Sequence, residues 1–526
     1  MGRTPLFHLF QRAARLARAS LHGDEPVDEL IQRTREARVD MARRRLLQGA
    51  AAGIVLTGCG TLPKAAMQSH GDEVVIVGAG IAGLTAAWRL RQAGVRVRVY
   101  EAQNRIGGRM FSLRDYFPDG QVIELGGELI DSNHVRIRAM AAEMGLQLDD
   151  LLEGDTAIDS WFFDGRRITE HEIVTAFVPV AAAIERDLAT LGDGDITYRD
   201  AQNATALDSI TIAQWLDRNG VSGWLRKLID VAYTTEMGLE IDQQSALNLL
   251  TFIGTEDHKT FKPFGESDER FHVRGGNDLI VQRLGDKVAD AVETGSVLEA
   301  IRGADNGYAL TFRQGSASRE VRARQVILAL PFTLLRKVRV DVALPAAKRR
   351  AIDTLAYGTN AKLMIGYDRR VWRAQQVNGA AMGDLAFQTT WDTTRKQPGI
   401  GGVLTNFTGG RHGLELGHGT AKAQAAAATA SIDKVFPGAA AARAGAREVR
   451  FHWPSHPWTL GSYACFRPGD WTGLRGAMGE SVDGLHFAGE HCALDTQGFM
   501  EGGCESGETA ANAVLAQLGI SMRKAA

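Results

Sequence analysis

The amino-acid sequence predicts an α/β protein, a Rossmann-like nucleotide-binding domain interleaved with a mixed sheet-plus-helical domain. Three observations carry this. Residues 74–101 run strand, glycine turn, helix, strand and acid in that order. Strand-like segments return at 291–330 and again at 485–491. Between these pieces lie a long helical stretch and a second set of strands.

The first unit reads VVIVGAGIAGLTAAWRLRQAGVRVRVYE. Val74 to Val77 is an apolar, β-branched run suited to a buried parallel strand. Gly78 makes the tight turn, Gly80 lets the backbone approach a pyrophosphate, and Gly83 lets helix and strand pack closely. Apolar residues from Leu84 to Gln92 recur at helical spacing, and Gly94 stops the helix. The helix N-terminus offers unpaired N–H groups and a positive dipole end to phosphate. Val95, Val97 and Val99 alternate into a second strand. Glu101 stands about 20 residues on, where a carboxylate accepts hydrogen bonds from a ribose. An acid there repels a 2′-phosphate, so NADP is disfavoured and NAD and FAD remain.

Downstream, Arg105-Ile106-Gly107-Gly108-Arg109 sets two glycines between two arginines. Such a loop presents backbone N–H groups and guanidinium forks to a diphosphate. Residues 122–130 read as a strand entering another glycine turn, and 135–152 as a helix. From about 161 to 261 the pattern is largely helical, with helices expected at 171–190, 210–218 and 221–233. Strands are expected at 291–300, 307–313 and 319–330, then at 362–367 and 402–407. An alanine-rich helix at 420–436 follows, and a helix over 498–518 closes the chain.

On this reading residues 1–71 form an N-terminal extension, signal and linker. Residues 72–150, 271–340 and 481–526 form the nucleotide-binding domain in three parts. Residues 151–270 form a helical substrate cap, and 341–480 a substrate-binding sheet with helices.

Composition bounds the function. The chain has 526 residues, 59 glycines and a formal charge of −2, so no global field points to nucleic acid. Cys59, Cys465, Cys492 and Cys504 make no CxxC pair, which argues against a zinc site or dithiol motif. Arg43-Arg44-Arg45-Leu46-Leu47 and the apolar run to Thr57 outline a twin-arginine export signal, which predicts a periplasmic protein. Leu56-Thr57-Gly58-Cys59 resembles a lipobox. Either Cys59 becomes a lipidated membrane tether, or it is incidental to a small-residue cleavage region. The first 40 residues read as a basic amphipathic helix that touches a membrane within a long signal, or as a preface to a start at Met41.

With its motifs in order over roughly residues 72–520, the chain resembles the flavin-dependent amine oxidases of the monoamine oxidase and L-amino-acid oxidase type. The resemblance rests on the nucleotide unit, Arg105 to Ser112, Phe487-Ala488-Gly489-Glu490 and Gly498-Phe499-Met500-Glu501-Gly502-Gly503. It implies the amine oxidase fold and non-covalent FAD. Gly78, Gly80, Gly83, Glu101, Arg105, Gly108 and Arg109 would hold the ADP half. Val297 would meet the adenine, Glu490 the ribityl–phosphate region and Met500 the isoalloxazine. Lys362 matches the family lysine that holds a water at flavin N5. Tyr463 and Phe499 match two cage aromatics, and Trp453 packs near the flavin. Where monoamine oxidases carry their flavin-linking cysteine, this chain has Ser462.

The implied activity is oxidative deamination of a primary amine or L-amino acid, with hydride passing to flavin N5 and oxygen reduced to hydrogen peroxide. The implied partners are that small molecule and O2, and a homodimer is compatible with the resemblance. The turn Gly127-Glu128-Leu129-Ile130 lacks the arginine with which L-amino-acid oxidases clamp a carboxylate, so Arg274 or Arg369 is left as a substitute. Glu128 either favours a cationic substrate tail or bonds structurally within its turn. Other readings of the fold are a decarboxylating amino-acid monooxygenase, an amine dehydrogenase, and a flavin-binding protein without turnover.

Overall fold

Strand pairing brings distant segments of the chain onto one parallel sheet. In the computed structural model its five strands run in the order Leu485–Phe487, Val326–Leu328, Val74–Val77, Val97–Tyr100 and Val292–Glu293. All four residues of Val74–Val77 are buried, as a central strand covered on both faces requires. The structure describes residues 5–23, 26–33, 73–155, 158–252, 267–443, 445 and 447–520. The twin-arginine-like stretch, Cys59 and the linker lie outside them.

The helix Ile81–Gln92 packs on this sheet, and the closing helix Met500–Gln517 packs against it. Gly507 sits at that helix contact, where an added Cβ would lie 2.4 Å from the Ala82 carbonyl oxygen. A four-stranded sheet, Ala317–Ala323, Gly307–Gln314, Val297–Ala304 and Arg339–Asp341, lies alongside.

The second layer is a seven-stranded sheet. Its order is Glu448–His452, Ala361–Tyr367, Gly402–Thr408, Thr389–Asp392, Val377–Gly383, Ile158–Phe163 and Arg166–Ile168. Ala361–Tyr367 is buried throughout and carries Lys362 opposite Phe407 and Phe451. The helices Glu170–Leu188, Ile212–Arg218 and Gly223–Met237 match the expected cap helices. Thr169 and Glu172 form a capping box at the start of the first.

Two expectations fail here. The helix expected over 135–152 stops at Glu143, and Leu148–Asp150 is a strand paired with Phe271–Val273. Gly145 at φ +70° turns the chain, and Leu146 N–H closes onto the Ala141 carbonyl. The largely helical stretch expected from 161 begins only at Glu170. Ile158–Phe163 instead joins the seven-stranded sheet, pairing in parallel with Val377–Gly383 and burying Trp161, Phe162 and Phe163.

The N-terminal helix is present as Pro5–His22. Ala13, Ala14, Leu16 and Ala17 are buried, and Arg18 pairs with Glu185 of the cap helix. Among the described residues, no helix is long and apolar enough to cross a membrane.

Candidate active site

One cavity of about 640 Å³ runs from Val297 past the glycine turn to Lys362. Its nucleotide end is made chiefly of backbone. Gly78 adopts φ +102°, and a Cβ there would lie 2.5 Å from the Ala329 carbonyl oxygen. A Cβ on Gly83 would lie 2.0 Å from the Gly78 carbonyl oxygen, so only glycine lets this helix meet its strand. Gly80 differs, because a Cβ there would meet no atom within 4 Å and would project into open space beside the cavity. No side chain caps the helix Ile81–Gln92, so its first N–H groups stay available where Gly80, Ile81 and Ala82 line the cavity.

Glu101 lines the same end. Its carboxylate accepts from Ala79 N–H and Gln103 N–H, each at 2.8 Å. Burial raises its pKa, against the pull of those bonds. Gly108 and Val297 also line the cavity. Arg105 does not. Its guanidinium bonds to the Ile106 and Gly108 carbonyls and stacks 4.1 Å from the Phe111 ring, so it braces the loop instead of gripping a phosphate. Arg109 donates to the Ser462 carbonyl and to Glu490 Oε1, both at 2.7 Å.

Met500 begins the closing helix, which also lacks a side-chain cap and opens on the cavity. Gly127 faces it, and a Cβ on Gly127 would lie 2.9 Å from the Met500 sulfur. Two uncapped helix N-termini and a carboxylate after the second strand, on one long cavity, suit a dinucleotide.

The Lys362 end is built of side chains. Lys362 is 5% exposed. Its ammonium donates to the Glu124 carbonyl at 3.1 Å, the Gly126 carbonyl at 2.8 Å and Glu128 Oε2 at 2.8 Å. An ammonium has three donors, and all are engaged. Lys362 therefore presents charge to the cavity, and a bound water would have to displace one of these partners. Glu128 also accepts from Trp391 Nε1–H at 2.7 Å and from the Thr393 hydroxyl. Burial opposes its ionisation, but the Lys362 ammonium and these bonds outweigh burial and hold its pKa below the usual range. The structural reading of Glu128 is thus the observed one, and its carboxylate is not free for a substrate tail.

Tyr463 and Phe499 both line the cavity. The Tyr463 hydroxyl donates to the Thr235 carbonyl at 3.3 Å, and Phe499 packs 5.2 Å from the His134 ring. Trp453 lines it too, held by an Nε1–H bond to the Leu125 carbonyl at 2.9 Å.

The comparisons with known proteins agree with this geometry. A family model for flavin containing amine oxidoreductases matches residues 81–515. The chain belongs to the flavin-containing amine oxidoreductase family. An L-amino acid dehydrogenase of Synechocystis sp. is 28% identical, over 86% of this chain and 96% of the relative. The human flavin-containing amine oxidase B is 25% identical, over 86% and 87%. Among solved structures, cyclohexylamine oxidase from Brevibacterium oxydans superposes with a TM-score of 0.74 at 25% identity, covering 85% of this chain and 99% of that one.

As a flavin-containing amine oxidoreductase, the chain departs from its sequence expectations at both candidate carboxylate clamps. Arg274 is committed to Asp149 and Gln147 at the surface, and Arg369 lies exposed beside Asp368. Neither lines the cavity. Arg109 and Arg313 are the arginines among its described lining residues, and Arg313 bonds to Glu299 at the nucleotide end. Cys465 is buried against Asn248 away from the cavity, while the Ser462 hydroxyl at the cavity wall donates to Asn360.

Sequence reasoning missed Trp391, Phe407 and Glu269, all of which line the cavity. Trp391 and Phe407 stand on neighbouring strands with ring centroids 5.6 Å apart. Their signal was aromatics on two buried strands, which reads as core packing. Glu269 lies in the charged run Asp268-Glu269-Arg270, which reads as surface. Asp268 bonds to Ser132 and Arg270 to Asp150, but Glu269 points inward.

Proposed function

We propose that the protein is an FAD-dependent oxidase that deaminates a primary amine or an L-amino acid. The observation that carries this reading is the buried Lys362–Glu128 pair, set in one cavity between the uncapped helix ends and the aromatic walls. A flavin held by these residues would supply the redox chemistry, a two-electron oxidation of the amine with oxygen as the final acceptor and hydrogen peroxide as its product.

The chain's own residues bind and orient. The N–H groups at Ile81 and Ala82 meet the diphosphate, with Gly80 leaving room for it, and Glu101 accepts from a ribose. Lys362 holds a fixed positive charge, locked by Glu128, where negative charge accumulates during turnover. Tyr463, Phe499, Trp391 and Phe407 exclude water and favour the neutral amine, the form able to give up hydride. The imine product hydrolyses to an aldehyde or keto acid plus ammonia. Ser462 gives the cavity wall a hydroxyl that is already bonded to Asn360, which supports non-covalent cofactor binding.

Among the described residues, no arginine stands at the substrate end to clamp a carboxylate, and this favours amines over amino acids. A second reading takes support from the Synechocystis relative, named a dehydrogenase. In it the electrons pass to a carrier other than oxygen. We propose export on the twin-arginine-like stretch alone, and the mass of the mature chain from a periplasmic fraction tests it.

The deciding experiment is anaerobic bleaching of the bound flavin by primary amines, polyamines and L-amino acids, followed by readmission of air. Bleaching with stoichiometric peroxide supports the oxidase. Bleaching with slow reoxidation and little peroxide supports the dehydrogenase. A flavin that no amine or amino acid reduces overturns both.

A further inference from the structure

Glu269 is the unexplained group in this cavity. It is 3% exposed and lines the same chamber as Lys362, Tyr463 and Phe499. Both of its carboxylate oxygens are buried without a hydrogen-bond partner among the described residues. A buried carboxyl in that condition is costly unless a ligand completes it.

The backbone is built to aim it. Glu269 adopts φ +43°, a left-handed conformation that side-chain-bearing residues rarely take. Its N–H is pinned to Asp131 Oδ1 at 2.7 Å, and the Ser267 hydroxyl bonds to the same oxygen at 2.8 Å. The strand that follows is fixed by the Ile130–Phe271 bridge. The direction of the side chain is therefore set by its neighbours and not left to a surface loop.

The local charges indicate what is missing. Burial raises the Glu269 pKa well above the carboxylate range, and Asp131, Glu236 and Glu128 push the same way while Arg395 opposes. Lys362 cannot serve as the partner, because its donors are spent on Glu124, Gly126 and Glu128. Among the described residues, the site is short of a positive charge.

That charge is not the reacting amine. An amine must be neutral to yield hydride, and a facing carboxylate would stabilise the ammonium. On the proposed amine-oxidising reading, we infer that Glu269 binds a second cationic group of the substrate, remote from the carbon being oxidised. The substrate class is thus an amine with a cationic tail, either an α,ω-diamine or a basic amino acid.

The test compares tails on the flavin-loaded enzyme. Flavin reduction is measured with 1,4-diaminobutane against n-butylamine, and with L-ornithine against L-norvaline. The wild type should favour the cationic member by about 10- to 100-fold in kcat/KM, the range of a charge-assisted hydrogen bond. Glu269→Gln should bring that ratio close to one, chiefly through KM. Success in the diamine arm alone assigns a diamine, and success in the ornithine arm assigns a basic amino acid. A wild type that reduces its flavin equally well or better with the neutral members overturns the inference and leaves the amine-oxidising reading intact. So does a Glu269→Gln enzyme that keeps the wild-type ratio. Failure of every amine and amino acid overturns the reading itself. If Glu269→Gln does not retain flavin, the wild-type ranking decides alone.

Discussion

The two ends of the cavity are made by different means. The nucleotide end is walled largely by the glycine turn, the start of the helix Ile81–Gln92 and Glu101, all within residues 78–109, joined by Val297, Arg313 and the start of the closing helix. The substrate end is walled by side chains from the 128 turn, the Glu269 segment, three strands of the large sheet and the loops at Tyr463 and Phe499. Backbone sites need glycine at fixed spacing, because only glycine fits the turn and the close contact. Side-chain sites need only that distant segments meet. Damage at one end should therefore remove the cofactor, and damage at the other should change what the cofactor does.

Gly83→Ala should produce the largest effect. Its Cβ would stand 2.0 Å from the Gly78 carbonyl oxygen and 3.3 Å from the Ala329 Cβ, with backbone on one side that cannot yield. Forcing helix from strand costs about 3 kcal/mol by the usual penalty for overpacking. Purified protein should carry less than about a tenth of the wild-type flavin absorbance per chain, since each 1.4 kcal/mol is tenfold. Full flavin content would show that the close approach is dispensable.

Lys362→Met comes next and separates the two ends. It leaves Glu128 buried without its cation, a loss of about 3–5 kcal/mol for a broken buried pair. Adding Glu128→Gln should restore much of the melting temperature, because the unpaired charge is gone. It should not restore turnover. Reaction of the reduced enzyme with oxygen should stay down by about a hundredfold, the scale of losing one preorganised charge. Recovery of both stability and oxygen reaction in the double variant would reduce Lys362 to a structural residue.

The same contrast explains what the sequence revealed. The strand at 74–77, the helix after it and the acid Glu101 were legible because local spacing alone specifies them. Lys362 was legible only through its place in a recognised order of motifs. Its three acceptors were not, since two are backbone carbonyls 236 and 238 residues away. The strand Leu148–Asp150 looked helical because its partner, Phe271–Val273, lies far along the chain. The inward faces of Ala13 and Leu16 were unreadable for a related reason, as an amphipathic helix does not encode which apolar surface it meets. Glu269 was hidden by composition, being one acid in a charged run.

Glu269 also makes a pH prediction at the substrate end. Burial raises its folded pKa above the ordinary 4.5, with Asp131, Glu236 and Glu128 adding to the rise and Arg395 opposing it. Below that ordinary value the group is protonated in both folded and unfolded chains and costs nothing. Above it the unfolded chain releases a proton that the folded chain retains, so stability is lost as pH rises toward the folded pKa. Glu269→Gln removes this liability. The melting temperature of the substrate-free holoenzyme variant, minus that of the wild type, should grow as pH rises above the ordinary carboxylate value toward the folded pKa. A difference that stays flat would mean Glu269 ionises freely, with water or an ion supplying its partner.

The smallest effect should come from Tyr463→Phe. The hydroxyl donates to the Thr235 carbonyl at 3.3 Å, a long bond to an acceptor that already receives Asn360 Nδ2–H at 2.8 Å. Removing it leaves the Thr235 carbonyl bonded to Asn360, so the loss should be about 0.5–1 kcal/mol. The ring stays, and with it the apolar wall that favours a neutral amine. Flavin reduction by a good substrate should fall by less than about fivefold, the equivalent of 1 kcal/mol. Tyr463→Ala, which removes the wall, should cost far more at the same position. If the phenylalanine variant instead loses about a hundredfold, the hydroxyl touches the reacting amine. The substrate end would then work through a directed hydrogen bond, as the nucleotide end does, and the contrast between the two ends would fail where it is sharpest.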